Sequence, residues 1–323
     1  MPSFGHRAGV FVFAALLLAA GALAPARAAD RIVITNYATN IATLPWAIAL
    51  QQGFFQQEGV DVDGFVGSSG GGSAIRNMMA SKIPFAEVSV PAAVAAIRSG
   101  IDLKIVYGAL YHLGDLSWVV RADSPIRTIA DLRGRKVAYS SPQSVTEIAA
   151  RMVLEKHKLA GSVTLVAAGS IEAALVAVDA GALDAAPVEV PAFLTPPEKY
   201  RVVFRTSFEM PHIQTQVGVV TADYAKAHPD IVRKLIAVHR DAVAYMTAHP
   251  GEAEKVYADV WNTDKPVGAA LRQLIKDGYW SPGRIDNEGL ATMLQGMRLV
   301  GALDKPFDLN AVVDREYLPA NLR

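Results

Sequence analysis

The pattern of apolar and polar residues alternates along the chain between two periods. Short apolar runs predict strands, and stretches with apolar residues three or four positions apart predict helices. In the first part of the chain the strand-like runs are 31–36, 60–66, 83–89, 103–110 and 117–121. A second series follows at 135–140, 162–168, 183–189, 201–207 and 216–221. Helix-like stretches separate most of these runs, so the pattern predicts an α/β protein.

Beyond residue 221 the pattern becomes almost wholly helical, with prolines at positions 250, 266 and 282. Helices that have no sheet of their own are expected to pack back on a sheet formed earlier in the chain. We therefore predict a discontinuous first lobe, formed by residues 29–120 and 217–323. Residues 121–216 form a second lobe inserted into it. Two chain crossings, near 121–125 and 206–216, would then form a hinge.

The first 28 residues have the features of an export signal. His6 and Arg7 precede an apolar run over 10–23, and Ala26-Arg27-Ala28 has the small residues of a signal-peptidase site. The run is short for a membrane span, which needs roughly 20 apolar residues. We therefore predict cleavage after Ala28 and export of the mature chain.

Composition excludes several classes of protein. The chain has 31 basic and 31 acidic residues, and this neutral balance argues against binding of nucleic acid. Hydrophobic residues make up 51% of the chain, which argues against disorder. The absence of cysteine excludes disulfides, thiolate metal sites and a cysteine nucleophile. Seven scattered histidines lack the spacing of metal ligands, so no metal and no cofactor is predicted.

A glycine- and serine-rich segment, 67–73, lies between a predicted strand and a predicted helix; we call it the Gly/Ser loop. Glycine lets the backbone approach a ligand closely, and a helix start offers free N–H groups to an anion. A flexible connection would have the same composition. The segment also matches the Gly-x-Ser-x-Gly turn of serine hydrolases, with Ser69 as the nucleophile, but no oxyanion-hole segment accompanies it.

The second predicted lobe has a similar polar helix start. Its five polar residues lie between a strand and a helix: Ser140, Ser141, Gln143, Ser144 and Thr146. One hydroxyl is needed to cap the helix, and the others exceed that need. Two such helix starts, one from each lobe, would suit a small polar or anionic ligand held between the lobes.

Three motifs give the chain a family resemblance. Residues 52–60 read Gln-Gly-Phe-Phe-Gln-Gln-Glu-Gly-Val, 129–137 read Ile-Ala-Asp-Leu-Arg-Gly-Arg-Lys-Val, and 180–185 read Ala-Gly-Ala-Leu-Asp-Ala. With the leader and the Gly/Ser loop, this order resembles the nitrate/sulfonate/taurine group of periplasmic substrate-binding proteins, which includes binders of thiamine-pyrimidine precursors. The resemblance implies a type II periplasmic-binding-protein fold and a ligand cleft between two lobes. It also implies a periplasmic monomer that performs no chemistry and delivers its ligand to an ABC permease and its ATPase.

The resemblance also implies a set of ligand-binding residues. In the first lobe these are Asn36, Asn40, Thr43, Ser69, Gly70 and Ser89. In the second lobe they are Ser141, Ser144, Thr146 and Glu189.

One departure from the family concerns the ligand. Sulfonate binders of the family carry Trp-Asp-Pro where this chain reads Pro-Val-Glu-Val-Pro at 187–191, which argues against a sulfonate. Glu189 would favour a ligand with an N–H donor if it faces the cleft. It could equally face outward, because side chains alternate along a strand. A sulfonate, a carboxylate and a pyrimidine-like ligand all stay open, as do two other functions: an exported serine hydrolase that uses Ser69, and a ligand-sensing module for a membrane receptor.

Overall fold

The computed structural model describes residues 30–68, 70–190, 198–264 and 267–323. The predicted leader at 1–28 and Ser69 therefore lie outside the described residues, as does the segment that follows Val190. Within the described part of the chain, no helix is long and apolar enough to cross a membrane.

Strands and helices alternate as far as residue 221, and helices dominate after it. The strands are β1 (Asp30–Thr35), β2 (Val62–Ser68), β3 (Phe85–Ser89), β4 (Leu103–Leu110), β5 (Leu116–Arg121), β6 (Lys136–Tyr139), β7 (Thr164–Ala167), β8 (Ala186–Glu189), β9 (Tyr200–Arg205), β10 (Gln216–Thr221) and β11 (Trp280–Gly283). The helices are α1 (Leu44–Gln51), α2 (Phe54–Gln57), α3 (Gly71–Met79), α4 (Val90–Arg98), α5 (Val145–Lys156), α6 (Ile171–Asp179), α7 (Thr206–Glu209), α8 (Ala222–Ala227), α9 (Pro229–Ala248), α10 (Pro250–Trp261), α11 (Gly268–Lys276) and α12 (Asn287–Leu299).

The larger sheet has the strand order β11-β4-β10-β3-β1-β2. Strand β1 runs parallel to β2 and β3, whereas β10 runs antiparallel to both β3 and β4. The chain therefore leaves this sheet after β4 and returns to its middle only with β10. The C-terminal helices follow this return, and α9 packs on α1 and β11.

The strands between β4 and β10 form a second sheet system. Strand β5 pairs antiparallel with β8 and β9, and β6 pairs parallel with β7. A parallel bridge between Val137 and Ala185 joins β6 to the strand that continues as β8. Strand β5 thus lies in the second system, although the sequence prediction placed residues 117–120 in the first lobe. The lobe division itself stays a prediction.

Helix α12 packs against both parts of the molecule through two glycines. A Cβ atom on Gly296 would lie 2.4 Å from Cγ2 of Ile148 in α5, which belongs to the second part. A Cβ atom on Gly289 would lie 2.7 Å from the backbone nitrogen of Gln214, just before β10. Side chains at these positions would collide with their neighbours, so the two glycines permit the close approach of α12.

A buried polar cluster lies in the core of the larger sheet. The carboxylate of Glu87 on β3 accepts hydrogen bonds from Trp46 Nε1 at 2.8 Å and from the Tyr107 hydroxyl at 2.7 Å. His239 Nε2, on α9, lies 3.8 Å from the same oxygen. Burial raises the pKa of Glu87 to about 7 and lowers the pKa of His239 to about 3. Both groups therefore favour their neutral forms inside the protein.

Candidate functional site

Two predicted site residues of the first lobe, Asn36 and Ser89, lie at one edge of the larger sheet. Strands β1, β2 and β3 are parallel, so their carboxyl ends share an edge, and ligand clefts of α/β sheets open at such edges. Asn36 follows β1, and its backbone N–H donates to the Ser68 carbonyl at 2.9 Å. Ser89 ends β3, and its Oγ lies 3.6 Å from the position of a Cβ atom on Gly71. The turn after β1, the Gly/Ser loop and the start of α4 are therefore neighbours.

Gly70 and Gly71 are adjacent but have different surroundings. Gly70 caps α3 with an extended backbone, and a Cβ atom there would meet nothing within 4 Å. A Cβ atom on Gly71 would lie 2.1 Å from Cβ of Ala92 on α4. Packing of the two helices therefore requires glycine at 71. No neighbour among the described residues requires it at 70, where open space would admit a ligand. Ser69, between Ser68 and Gly70, lies outside the described residues.

Asn40 and Thr43 belong to the short helical turn after β1. Asn40 Oδ1 accepts a hydrogen bond from the Ala42 N–H at 2.7 Å, and this caps the turn. The Thr43 side chain is fully buried and donates to the Asn40 carbonyl at 2.9 Å. The Thr43 hydroxyl therefore stabilises the turn itself, whereas the amide nitrogen of Asn40 contacts a residue outside the turn. Its Nδ2 donates to Asp115 Oδ2 at 3.4 Å.

Asp115 was not predicted from the sequence. It ends the connection between β4 and β5, residues 111–115, which we call the first crossover. Its backbone carbonyl accepts a hydrogen bond from Val190 N at 3.0 Å, and the next residue, Leu116, pairs with Glu189 on β8. Only 6% of the residue is exposed. Asp115 thus touches both parts of the molecule, because its side chain meets Asn40 and its backbone meets β8.

Glu189 lies beside this contact rather than pointing away from it. Burial raises its pKa to about 8, and the nearby charge of Asp115 adds to the rise, while a hydrogen bond with Asn40 opposes it. Burial likewise raises the pKa of Asp115. The carboxyl groups of Asp115 and Glu189 therefore lie close together, next to Asn40. The structure answers the question of orientation that strand alternation left open, and a ligand-binding role for Glu189 stays a prediction.

His112 and Tyr279 lie near the carboxyl group of Asp115. The Nε2 atom of His112 lies 3.0 Å from the Asp277 carbonyl oxygen, so this nitrogen carries a hydrogen and donates it. Nδ1 is buried and has no hydrogen-bond partner among the described residues. The Tyr279 ring packs 5.6 Å from the imidazole, centre to centre. Burial, followed by the charge of Asp115, raises the pKa of Tyr279 well above its usual value.

The polar helix start of the second part is largely satisfied by its own hydroxyls. Ser144 caps α5 by accepting from the Glu147 N–H at 3.2 Å. Thr146 Oγ1 is buried and lies 2.8 Å from the hydroxyl of Ser140 and 2.9 Å from that of Ser144. Ser141 is exposed. Because β6 is parallel to the strand continuing as β8, this helix start and Glu189 share an edge. The hydroxyl of Ser141 has no hydrogen-bond partner among the described residues, and its role in ligand binding stays a prediction.

The described residues contain no group of three or more His, Cys, Asp or Glu side chains that could hold a metal ion. What the geometry offers is a polar contact between the two sheet systems. Asn40 and Asp115 meet there, both nearly buried, and Glu189 lies beside them. Such an arrangement can bind a small polar molecule, and it can hold the two sheets against opposite sides of that molecule.

Comparison with known proteins gives one family and a consistent fold. A family model described as NMT1/THI5 like matches residues 40–253, more than half of the chain. A Bacillus subtilis (strain 168) protein named as aliphatic sulfonates-binding is 24% identical over 282 residues, which cover 85% of this chain and 83% of that protein.

Two solved structures show the same architecture. The periplasmic aliphatic sulphonate binding protein from Escherichia coli superposes with a TM-score of 0.71 at 17% identity, covering 88% of this chain and 96% of that one. A desulfurization enzyme superposes with a TM-score of 0.62 at 18% identity, covering 90% of this chain and 97% of the enzyme. The periplasmic-binding-protein fold expected from the sequence is thereby confirmed.

Proposed function

We propose a function on the premise that this chain belongs to the NMT1/THI5-like family: it is the periplasmic solute-binding component of an ABC importer. It captures a small organic molecule between its two lobes and presents the closed, loaded form to a permease in the inner membrane. The observation that carries this proposal is the meeting of two sheet edges around Asn40, Asp115 and Glu189. A cleft between two lobes closes on its ligand by hinge motion.

The names of similar proteins support the compartment and the mode of action. One is called aliphatic sulfonates-binding, and another is a periplasmic binding protein for aliphatic sulphonates. We extend to this chain the periplasmic location, reached after removal of residues 1–28, and the monomeric state. The ligand itself stays open, because this chain reads Pro-Val-Glu-Val-Pro at 187–191 where sulfonate binders of the family carry Trp-Asp-Pro.

We also propose that the protein binds its ligand without catalysing a reaction. The fold also occurs in a desulfurization enzyme, so architecture alone does not decide between binding and catalysis. The rival that the sequence offers is hydrolysis by Ser69. If the exported protein hydrolyses a chromogenic ester and Ser69→Ala removes that activity, the binding role is wrong.

The binding role is tested by a thermal-shift screen of sulfonates, carboxylates, nitrate, pyrimidines and amidines, followed by calorimetry on each hit. A ligand at about 100 times its Kd stabilises the native state by roughly 2.7 kcal/mol. We expect at least one class to raise the melting temperature and to reduce the radius of gyration in small-angle scattering. Gly70→Val should abolish this binding while circular dichroism stays unchanged, because open space surrounds position 70.

Gly251→Val is the matched control, since a Cβ atom there also meets nothing within 4 Å, in the first turn of α10. It should bind the same ligand as the parent. Equal binding by Gly70→Val and the parent would place the ligand elsewhere. A screen in which no class binds, over concentrations up to about 10 mM, would overturn the proposed function.

A further inference from the structure

A surface groove lies where helices from both parts of the molecule meet. Residues within 152–156 of α5, 209–212 at the end of α7 and after it, and 292–299 of α12 form its walls, and its volume is about 780 Å³. Ligand pockets have volumes of about 300–1,000 Å³. None of the described ligand-binding residues expected from the sequence lines this groove. We propose that this α5/α12 groove is a second binding site, which takes a short apolar peptide with a free amino group and a free carboxylate.

Contacts inside the protein hold the walls of the groove in place. Helices α5 and α12 nearly touch at one point, where a Cβ atom on Gly296 would lie 2.8 Å from Sδ of Met152. Helix α7 is held against α5 by Glu209, whose carboxylate lies 3.0 Å from Nζ of Lys156 and 2.8 Å from Nε2 of His157. Nζ of Lys156 also donates to the Glu209 carbonyl at 2.8 Å. The groove is therefore preformed, and a ligand does not have to order its walls.

Part of the lining is apolar and adaptable. Met152, Met210 and Leu299 contribute to it; Met210 is buried, and the other two are half-buried. Methionine has a flexible, polarisable side chain that packs well against irregular apolar and aromatic groups. Burial of an apolar side chain of the ligand against these residues would supply most of the affinity.

Two groups of opposite charge in the groove have no partner within the described protein. Lys156 and Glu209 form an ion pair with each other. The guanidinium of Arg298 on α12 and the carboxylate of Glu155 on α5 are exposed, and neither has a hydrogen bond or an ion pair among the described residues. A guanidinium pairs best with a carboxylate, and Glu155 would pair with an ammonium. Because the two groups belong to different helices and do not pair with each other, a ligand with separated charges can bind both.

Gln295 adds a group that suits a peptide bond. It lies three positions before Arg298, on the same face of α12, and its amide has no partner in the described part of the chain. A carboxamide both donates and accepts hydrogen bonds, as a peptide group does. A fatty acid or a simple amine would leave one of the two charges and this amide unused. The set of groups therefore favours a peptide with both of its termini free.

The test uses three forms of one dipeptide: leucyl-phenylalanine, its N-acetylated form and its C-terminal amide. Calorimetry on the full exported protein should show binding of the unblocked dipeptide with a Kd below about 1 mM. Arg298→Gln should weaken binding of the unblocked and acetylated forms by about threefold to tenfold and leave the amide unaffected. Glu155→Gln should weaken the unblocked form and the amide by a similar factor and leave the acetylated form unaffected.

Control variants and a spectroscopic signal locate the site. Arg133→Gln and Glu172→Gln change exposed residues outside the groove, so both should bind the dipeptide like the parent. Gly70→Val, which alters the Gly/Ser loop, should also bind it like the parent. In protein with labelled methionine methyl groups, the resonances of Met152 and Met210 should shift when the dipeptide is added.

Several results would overturn the inference. These are equal binding of the three dipeptide forms, unchanged affinity in Arg298→Gln and Glu155→Gln, and no binding at concentrations up to about 10 mM. Binding that is lost in Gly70→Val and kept in Arg298→Gln would place the dipeptide at the Gly/Ser loop and would overturn it as well. The solute-binding role proposed above stands or falls separately, because its test depends on the Gly/Ser loop and on other ligands.

Discussion

Replacing Glu87 with glutamine should change how folding stability depends on pH. Glutamine keeps the size of the side chain and an oxygen that can accept from Trp46 and Tyr107. It removes the titratable proton. The pKa of Glu87 rises from 4.5 in the unfolded chain to about 7 in the folded protein, because the folded protein buries the carboxyl group.

The sign follows from proton counting. Between pH 4.5 and about 7 the folded protein holds a proton on Glu87 that the unfolded chain has lost. Stability from this group is therefore fully present below pH 4.5 and is lost as the pH rises through about 7. A shift of that size corresponds to about 3 kcal/mol, at about 1.4 kcal/mol per unit. His239 acts in the opposite direction, because burial lowers its pKa from 6.5 to about 3. The folding stability that this group contributes is present above pH 6.5 and is lost as the pH falls through about 3.

The two groups offset each other in the parent between pH 4.5 and 6.5. There the unfolded chain binds one proton at His239, and the folded protein holds one at Glu87. Urea unfolding followed by tryptophan fluorescence, repeated at closely spaced pH values, measures this. The difference in unfolding free energy, Glu87→Gln minus parent, should rise by about 3 kcal/mol from pH 4.5 to 7. His239→Gln is the complementary control, and its stability should fall with rising pH over the same range.

A constant difference between Glu87→Gln and the parent across this range would refute the reasoning. It would mean that Glu87 is ionised in the folded protein as readily as in the unfolded chain. Subtraction of the parent curve cancels the titration of distant groups, because well-separated sites are additive to within about 0.5 kcal/mol.

Three further predictions concern packing and capping. Gly71→Ala should lower the unfolding free energy by about 1–3 kcal/mol in urea titrations, because its Cβ atom would lie 2.1 Å from Cβ of Ala92. Gly70→Ala should leave the unfolding free energy unchanged, and equal effects of the two substitutions would contradict this packing. Ser144→Ala should cost about 1 kcal/mol of unfolding free energy by loss of the α5 cap, and a stability equal to the parent's would show that the cap is dispensable. Arg201→Met should speed limited proteolysis within 122–126, since Arg201 donates to three carbonyls of that segment at 2.7 Å; an unchanged cleavage rate would count against this brace.

Local patterns allowed much of the fold to be predicted. Alternating runs located most of the strands to within a few residues, and the Gly/Ser loop was recognised as the start of a helix. These features depend on neighbours in sequence. The sheet to which β5 belongs does not, because its partners β8 and β9 lie more than 60 residues further along the chain. A strand with an apolar pattern fits either sheet, so the sequence placed residues 117–120 with the first lobe, whereas β5 pairs with β8 and β9.

The same limit explains why Asp115 was not found from the sequence. Asp115 lies in a short connection without periodicity, and its importance comes from Asn40, 75 residues away, and from the pairing of Leu116 with Glu189. For Glu189, alternation along a four-residue strand leaves two equivalent faces, and only the register with β5 decides between them. The carbonyl that accepts a hydrogen bond from His112 belongs to residue 277, which no local signal connects to it.

The place of β10 in the larger sheet has a consequence for the order of folding. Strands β5 to β9 are contiguous in the chain, so their sheet system can assemble from residues 116–205 alone. The larger sheet cannot, because β10 lies between β3 and β4 and must be synthesised before these strands acquire their shared neighbour. Pairing β10 with β3 and β4 requires closing the long loop of inserted residues, and this costs conformational entropy before any pairing energy is gained. We therefore expect the inserted part to become protected from hydrogen exchange first, and the unpaired flanks of β3 and β4 to be the most aggregation-prone surfaces of the nascent chain.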